Sequence, residues 1–112
     1  MRDNEKKVVE KMIKCVSKTL QYTQSVSYEQ FVQNTMLVEA CVFNLSQLGE
    51  LSNQLDKNFQ SETKEIPWRM IYGLRNRIVH DYEGVNLVLI WEIISNDLKD
   101  LNDQLNALLY KA

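Results

Sequence analysis

One proline and three glycines in 112 residues leave the chain few places to turn. That scarcity excludes folds built from many short strands and points to a few long elements. A single histidine, with no cysteine or carboxylate at metal-ligand spacing beside it, leaves a zinc site without ligands. It also excludes, within one chain, a di-iron carboxylate bundle, which takes Glu-x-x-His from two helices. The two cysteines, Cys15 and Cys41, sit in apolar-patterned segments, where a free thiol behaves as a small hydrophobe. There is no Gly-rich phosphate loop and no serine in a nucleophile-elbow setting. No signal-peptide core follows the polar residues 1–7, and no apolar run approaches the ~18 residues of a membrane span. A cytoplasmic location with reduced thiols is therefore expected.

What is present is an ordinary globular composition, 45% hydrophobic and 25% charged, with no signature of disorder. The length suits one domain, so residues 1–112 are expected to fold as a single unit. The net charge of −2 argues against a nucleic-acid binder recognised by bulk charge. The distribution is uneven, however. Arg69, Arg75, Arg77 and His80 fall in one stretch without an acid. Arg2, Lys6, Lys7, Lys11, Lys14 and Lys18 crowd the first twenty residues, against Asp3, Glu5 and Glu10. From charge alone, a solvated mosaic is the simpler reading.

Hydrophobic spacing predicts four main helices in an up-down bundle, an all-α fold. The first covers about 4–22, with Val8, Val9, Met12, Ile13, Val16 and Leu20 as its stripe. Ser27 is positioned to cap the second, with Gln30 as its capping-box partner. That helix is expected to run from Tyr28 to Asp56. Its middle, Met36 to Phe43, is apolar nearly all round, so cover on several sides is expected, by its own domain or by a second subunit. Gly49 inside it suggests close packing at that point. Residues 57–65 break the pattern. Pro67 suits the first turn of a third helix, whose buried face is expected to comprise Trp68, Ile71, Tyr72, Leu74, Ile78 and Val79. Gly84 marks its end. Asn86 caps a fourth helix, with Leu87, Ile90, Trp91, Ile94, Leu98, Leu101, Leu105 and Leu108 as its seam.

The segment "RNRIVHDY", residues 75–82, is where chemistry concentrates. Arg75 offers a permanent planar charge for a phosphate. His80 can move protons near neutral pH. Together they supply what RNA cleavage by internal 2′-hydroxyl attack requires, with no metal. On an ideal helix Arg75 and His80 diverge by ~140°. They converge only if the helix bends or ends near His80, or if a second subunit contributes. The alternative is a lone histidine capping a helix end, with Tyr82 in the core. Glu39, Asn44, Gln47 and Glu50 are the polar groups of the second helix. Glu39 or Glu50 either pairs with an arginine near the cleft or simply faces solvent. Trp68, Tyr72 and Trp91 have the type that stacks on bases, but their helical spacing among aliphatics favours core packing.

At this motif the chain resembles the HEPN superfamily, in particular the HepT-like toxin family. The signature there is Arg, four residues, His, one residue, Tyr, and Arg75, His80 and Tyr82 match it without departure. "EACVFNLSQLGEL" (39–51), "IPWRMIYGLRN" (66–76) and "VNLVLIWEIISNDLKDL" (85–101) match further family elements in order. The resemblance implies a metal-independent ribonuclease toxin without a cofactor, whose two copies meet at a shared cleft. It implies catalytic roles for Arg75 and His80, with Asn76 orienting the histidine or the phosphate. Arg77 and Arg69 are the candidates for further RNA contacts. It also implies a nucleotidyltransferase antitoxin that neutralises the toxin by AMPylation of Tyr82. The alternative within the same resemblance is a non-catalytic module that only partners the nucleotidyltransferase.

Overall fold

A computed structural model describes residues 1–79 and 86–110. The described residues are helical, without strands. Helix α1 spans Asp3–Tyr22 and begins where the Glu5 carboxylate accepts from the Arg2 N–H at 2.9 Å. Its stripe of Val8, Val9, Met12 and Val16 is buried, as the spacing predicts. Ser25, in the left-handed region at φ 62°, reverses the chain.

Helix α2 (Tyr28–Gln33) opens on the expected capping box. Gln30 N donates to Ser27 Oγ at 3.1 Å, and Ser27 N donates to Gln30 Oε1 at 2.9 Å. The single long second helix is not observed. Asn34 leaves the helical region at φ −107°, ψ 90°, and its side-chain oxygen accepts from Leu37 N at 3.0 Å. One residue thus ends α2 and caps α3 (Thr35–Ser52). Asparagine does this readily because its short amide competes with the helix ladder. A second correction concerns residues 57–65, which do not form a plain break. Asp56 caps a short helix α4 (Lys57–Glu62) by accepting from Phe59 N at 2.7 Å, and Phe59 is buried. Gln60 Nε2 donates to the Ser52 and Leu55 carbonyls, covering the carbonyl end of α3.

Helix α5 (Trp68–Val79) starts one residue after Pro67, whose carbonyl accepts from Ile71 N at 3.1 Å. Asn86 caps α6 (Leu87–Glu92), accepting from Leu89 N at 3.0 Å. The fourth segment is not uniform. A π-helical turn, Ile93–Asp97, separates α6 from α7 (Leu98–Tyr110). Adjacent Ile93 and Ile94, at the start of that turn, are both buried.

The main helices pack α5 against α3, α3 against α1, and α1 against α7. One core cluster fills the space between them, including Met12, Phe31, Leu45, Leu48, Ile71, Leu74, Ile90 and Leu101. Trp91 joins it beside Phe31, ring centroids 5.0 Å apart, and Trp68 beside Phe59 at 6.1 Å. Tyr72, expected on the buried face, is 60% exposed. It lies ~105° from the centre of the arc set by Trp68, Ile71, Leu74 and Ile78. The expected burial of Val79 and the helix end at Gly84 lie outside the described residues. No described helix is long and apolar enough to cross a membrane.

Candidate active site

Gly49 decides how the site is assembled. A Cβ at that position would stand 3.1 Å from the Ile71 carbonyl oxygen and 3.8 Å from the Arg75 nitrogen. Without one, the backbones of α3 and α5 approach closely. One residue beyond Gly49 on α3 is Glu50, and at the near point on α5 is Arg75. Their side chains meet at 2.7 Å, Nη1 donating to Oε1. Both remain open to water, the arginine side chain 61% exposed and the carboxylate 48%. Of the two carboxylates considered from the sequence, Glu50 is therefore the one that holds an arginine.

Arg75 and Glu50 border a shallow depression of about 340 Å³, completed by Phe43, Ser46 and Gln47 of α3. Phe43 stands a full two turns before Glu50, on the same face. It is 61% exposed, so its own domain does not supply the cover expected for this apolar run. The seven-residue spacing to Glu50 is the signal that could have assigned it to this surface. Asn44, by contrast, is buried, and its amide donates to the Ala40 carbonyl at 2.9 Å.

Among the expected site residues, Asn76 is exposed next to Arg75. Arg69 and Arg77 are exposed but do not line the depression. Arg77 lies ~160° around the helix from Arg75, on the opposite flank. His80 and Tyr82 lie outside the described residues. A larger depression of about 460 Å³ lies elsewhere, lined by Glu5, Asp56 and Glu62 among others. Its carboxylates would repel phosphate, so the arginine-bordered depression is the candidate site.

The surface around Arg75 combines an exposed fixed cation, a carboxylate that orients it and a shallow floor open to a polymer. That arrangement suits a phosphodiester better than a small molecule, which favours enclosure. The family model described as Ribonuclease HepT-like matches residues 12–108. The chain belongs to the HepT-like family. A relative in Caldanaerobacter subterraneus subsp. tengcongensis, named "Putative RNase", is 34% identical over 92 residues, 82% of each chain. A "Putative RNase" of Methanocaldococcus jannaschii is 26% identical over 93 residues, 83% of this chain and 85% of the relative. The "Probable ribonuclease HepT" of Thermococcus cleftensis is 24% identical over 108 residues, 96% of this chain and 98% of the relative. No solved structure matches the chain. HepT-like membership agrees with the all-helical architecture and identifies the protein as a member of a ribonuclease family.

Proposed function

We propose that this HepT-like protein is a ribonuclease toxin that cleaves RNA, tRNA included, by 2′-hydroxyl attack without a metal. The observation that carries the reading is Arg75, a guanidinium held by Glu50 at the edge of an open depression, five residues before the histidine of its motif. In the reaction the 2′-oxygen bonds to phosphorus as its proton leaves, and the bond to the 5′-oxygen breaks. The products are a 2′,3′-cyclic phosphate and a 5′-hydroxyl, which takes up a proton. His80 serves one of these proton transfers. Arg75 stabilises the extra negative charge on the pentacoordinate phosphorus, and Asn76 orients the histidine or the phosphate.

Three exposed apolar side chains support a homodimer. Met36 is 83% exposed, Phe43 61% and Tyr72 60%, on the two helices that carry Glu50 and Arg75. A second copy placed there would cover them and bring two arginines to one cleft. Tyr82 is the acceptor for AMP from a nucleotidyltransferase antitoxin in this reading. The added phosphate would repel RNA at the cleft.

Cleavage of total RNA and tRNA in EDTA tests the catalytic claim. Wild type leaves cyclic phosphate ends, and Arg75→Ala or His80→Ala leaves the RNA intact. Equal inertness of all three proteins refutes it. Intact mass after co-expression with the adjacent gene tests the control claim. A nucleotide-sized increment is expected on wild type and absent from Tyr82→Phe.

A further inference from the structure

Lys7, Lys11, Lys14 and Lys18 follow one another at steps of four, three and four along α1. Those steps hold all four within a ~60° arc. None of them has a carboxylate within ion-pair distance among the described residues. The last three overlook a groove of about 400 Å³ between α1 and α3. Its α3 side carries Asn44 and Gln47, with Gln54 just beyond, and its lining contains no acid among the described residues. Phe43 and Gln47 line both this groove and the Arg75 depression, so the two lie side by side across a common wall.

We propose that the α1 lysine row and the groove beneath it form the track along which the sugar–phosphate backbone of single-stranded RNA reaches Arg75. The inference rests on the ribonuclease reading for its direction, toward Arg75, but the track is a binding surface in its own right. A row of unpaired ammonium groups is expensive to concentrate unless something anionic uses it, because like charges repel. The row runs about 16 Å along the helix axis, the scale of several nucleotides. The exposed amides of Gln47 and Gln54 opposite the lysines offer donors and acceptors to base edges while adding no competing charge. An acidic protein surface would use the lysines but has no need of a groove that adjoins the depression bordered by Arg75. The arrangement also resolves the mismatch between a net charge of −2 and an RNA substrate. Four lysines are gathered on one face of α1, and the carboxylate in the adjoining depression is paired to Arg75.

The test is binding of a labelled single-stranded RNA of about 12 nucleotides to the full chain carrying His80→Ala, followed by fluorescence anisotropy across salt concentrations. The same chain carrying Lys11→Gln, Lys14→Gln and Lys18→Gln is compared with it, and a Lys→Arg triple serves as the charge-retaining control. Removing three phosphate contacts lowers the slope of log affinity against log salt by about 2 and weakens binding at least tenfold near 0.1 M salt. The arginine triple keeps both. An unchanged slope in the glutamine triple overturns the track, as does absence of RNA binding at low salt. Displacement of the RNA by oligoglutamate of equal charge also overturns it, in favour of an acidic protein partner. Wild-type cleavage in EDTA is read separately. Lysine-dependent binding without cleavage leaves the track standing and removes the catalytic reading.

Discussion

Arg75 and Glu50 make the one side-chain ion pair at the candidate site among the described residues, and its exposure fixes what it is for. A pair this open to water contributes at most about 1 kcal/mol to stability. Its consequence is geometric, because a free arginine samples many rotamers and a tethered one few. Glu50→Ala is therefore expected to leave the melting temperature nearly unchanged while lowering kcat about tenfold, as loss of positioning does. Glu50→Gln, which retains an acceptor oxygen, restores most of the rate. A melting curve beside single-turnover cleavage checks this, and a large stability loss with normal turnover would contradict it. Cys41 gives a residue-scale prediction of another kind. Burial in α3 pushes its thiol from 9.0 up to about 11. The folded state thus keeps a proton that the unfolded state releases. The associated stability is intact below pH 9 and is lost as pH rises toward 11, at a limiting slope of about 1.4 kcal/mol per pH unit. Urea melts from pH 8 to 11 should show a steeper decline for wild type than for Cys41→Ala. Cys15, also raised by burial and partly offset by Lys18, titrates in both proteins and cancels from that comparison.

At the scale of elements, the close approach of α3 and α5 is the feature on which the site stands. Gly49→Val would place a branched side chain against the Ile71 carbonyl, a backbone group within a packed helix. Overpacking of this kind costs about 2–3 kcal/mol. It also displaces α5, so cleavage should fall further than the loss of folded protein explains. Far-UV dichroism in urea, read beside the cleavage rate of the folded fraction, measures both. The close packing at Gly49 was legible in the sequence, because glycine in the middle of an apolar helix has few other uses. The Ser27, Asn86 and Pro67 helix starts were legible for a similar reason, since each carries its own local chemistry. The break at Asn34 was not, because an asparagine inside a periodic stretch reads equally as a surface position. The short helix after Asp56 was hidden by its polarity, with Phe59 as its single buried anchor. The π-helical turn was hidden because Ile93 looked like a redundant neighbour of Ile94. Within the site, the pairing of Arg75 with Glu50 was one of two open choices. The outward position of Tyr72 is not legible because its spacing among aliphatics favours core, whereas the all-round apolar run that ends at Phe43 already signals a need for extra cover.

At the scale of the whole molecule, the exposed apolar side chains and the cationic row divide the surface between two tasks. Met36 and Tyr72 are exposed apolar side chains that do not line the α1–α3 groove, Lys11, Lys14 and Lys18 line it, and Phe43 stands at the boundary between the two. On an ideal helix, positions 75 and 80 diverge by ~140°, so a helix continued regularly to 80 would not aim both groups at one phosphate. A dimer removes the difficulty by letting the arginine of one copy work with the histidine of the other. Arg75→Ala and His80→Ala proteins should then each be inert alone and regain activity when mixed and allowed to exchange subunits. Random re-assortment makes about half of the dimers mixed, and each mixed dimer has one complete Arg–His pairing of two. Recovery to about a quarter of the wild-type rate follows. Exchange is checked by mass spectrometry of differently tagged copies. If exchange is complete and no activity returns, both groups must come from the same copy, and the exposed face must then serve something other than catalysis.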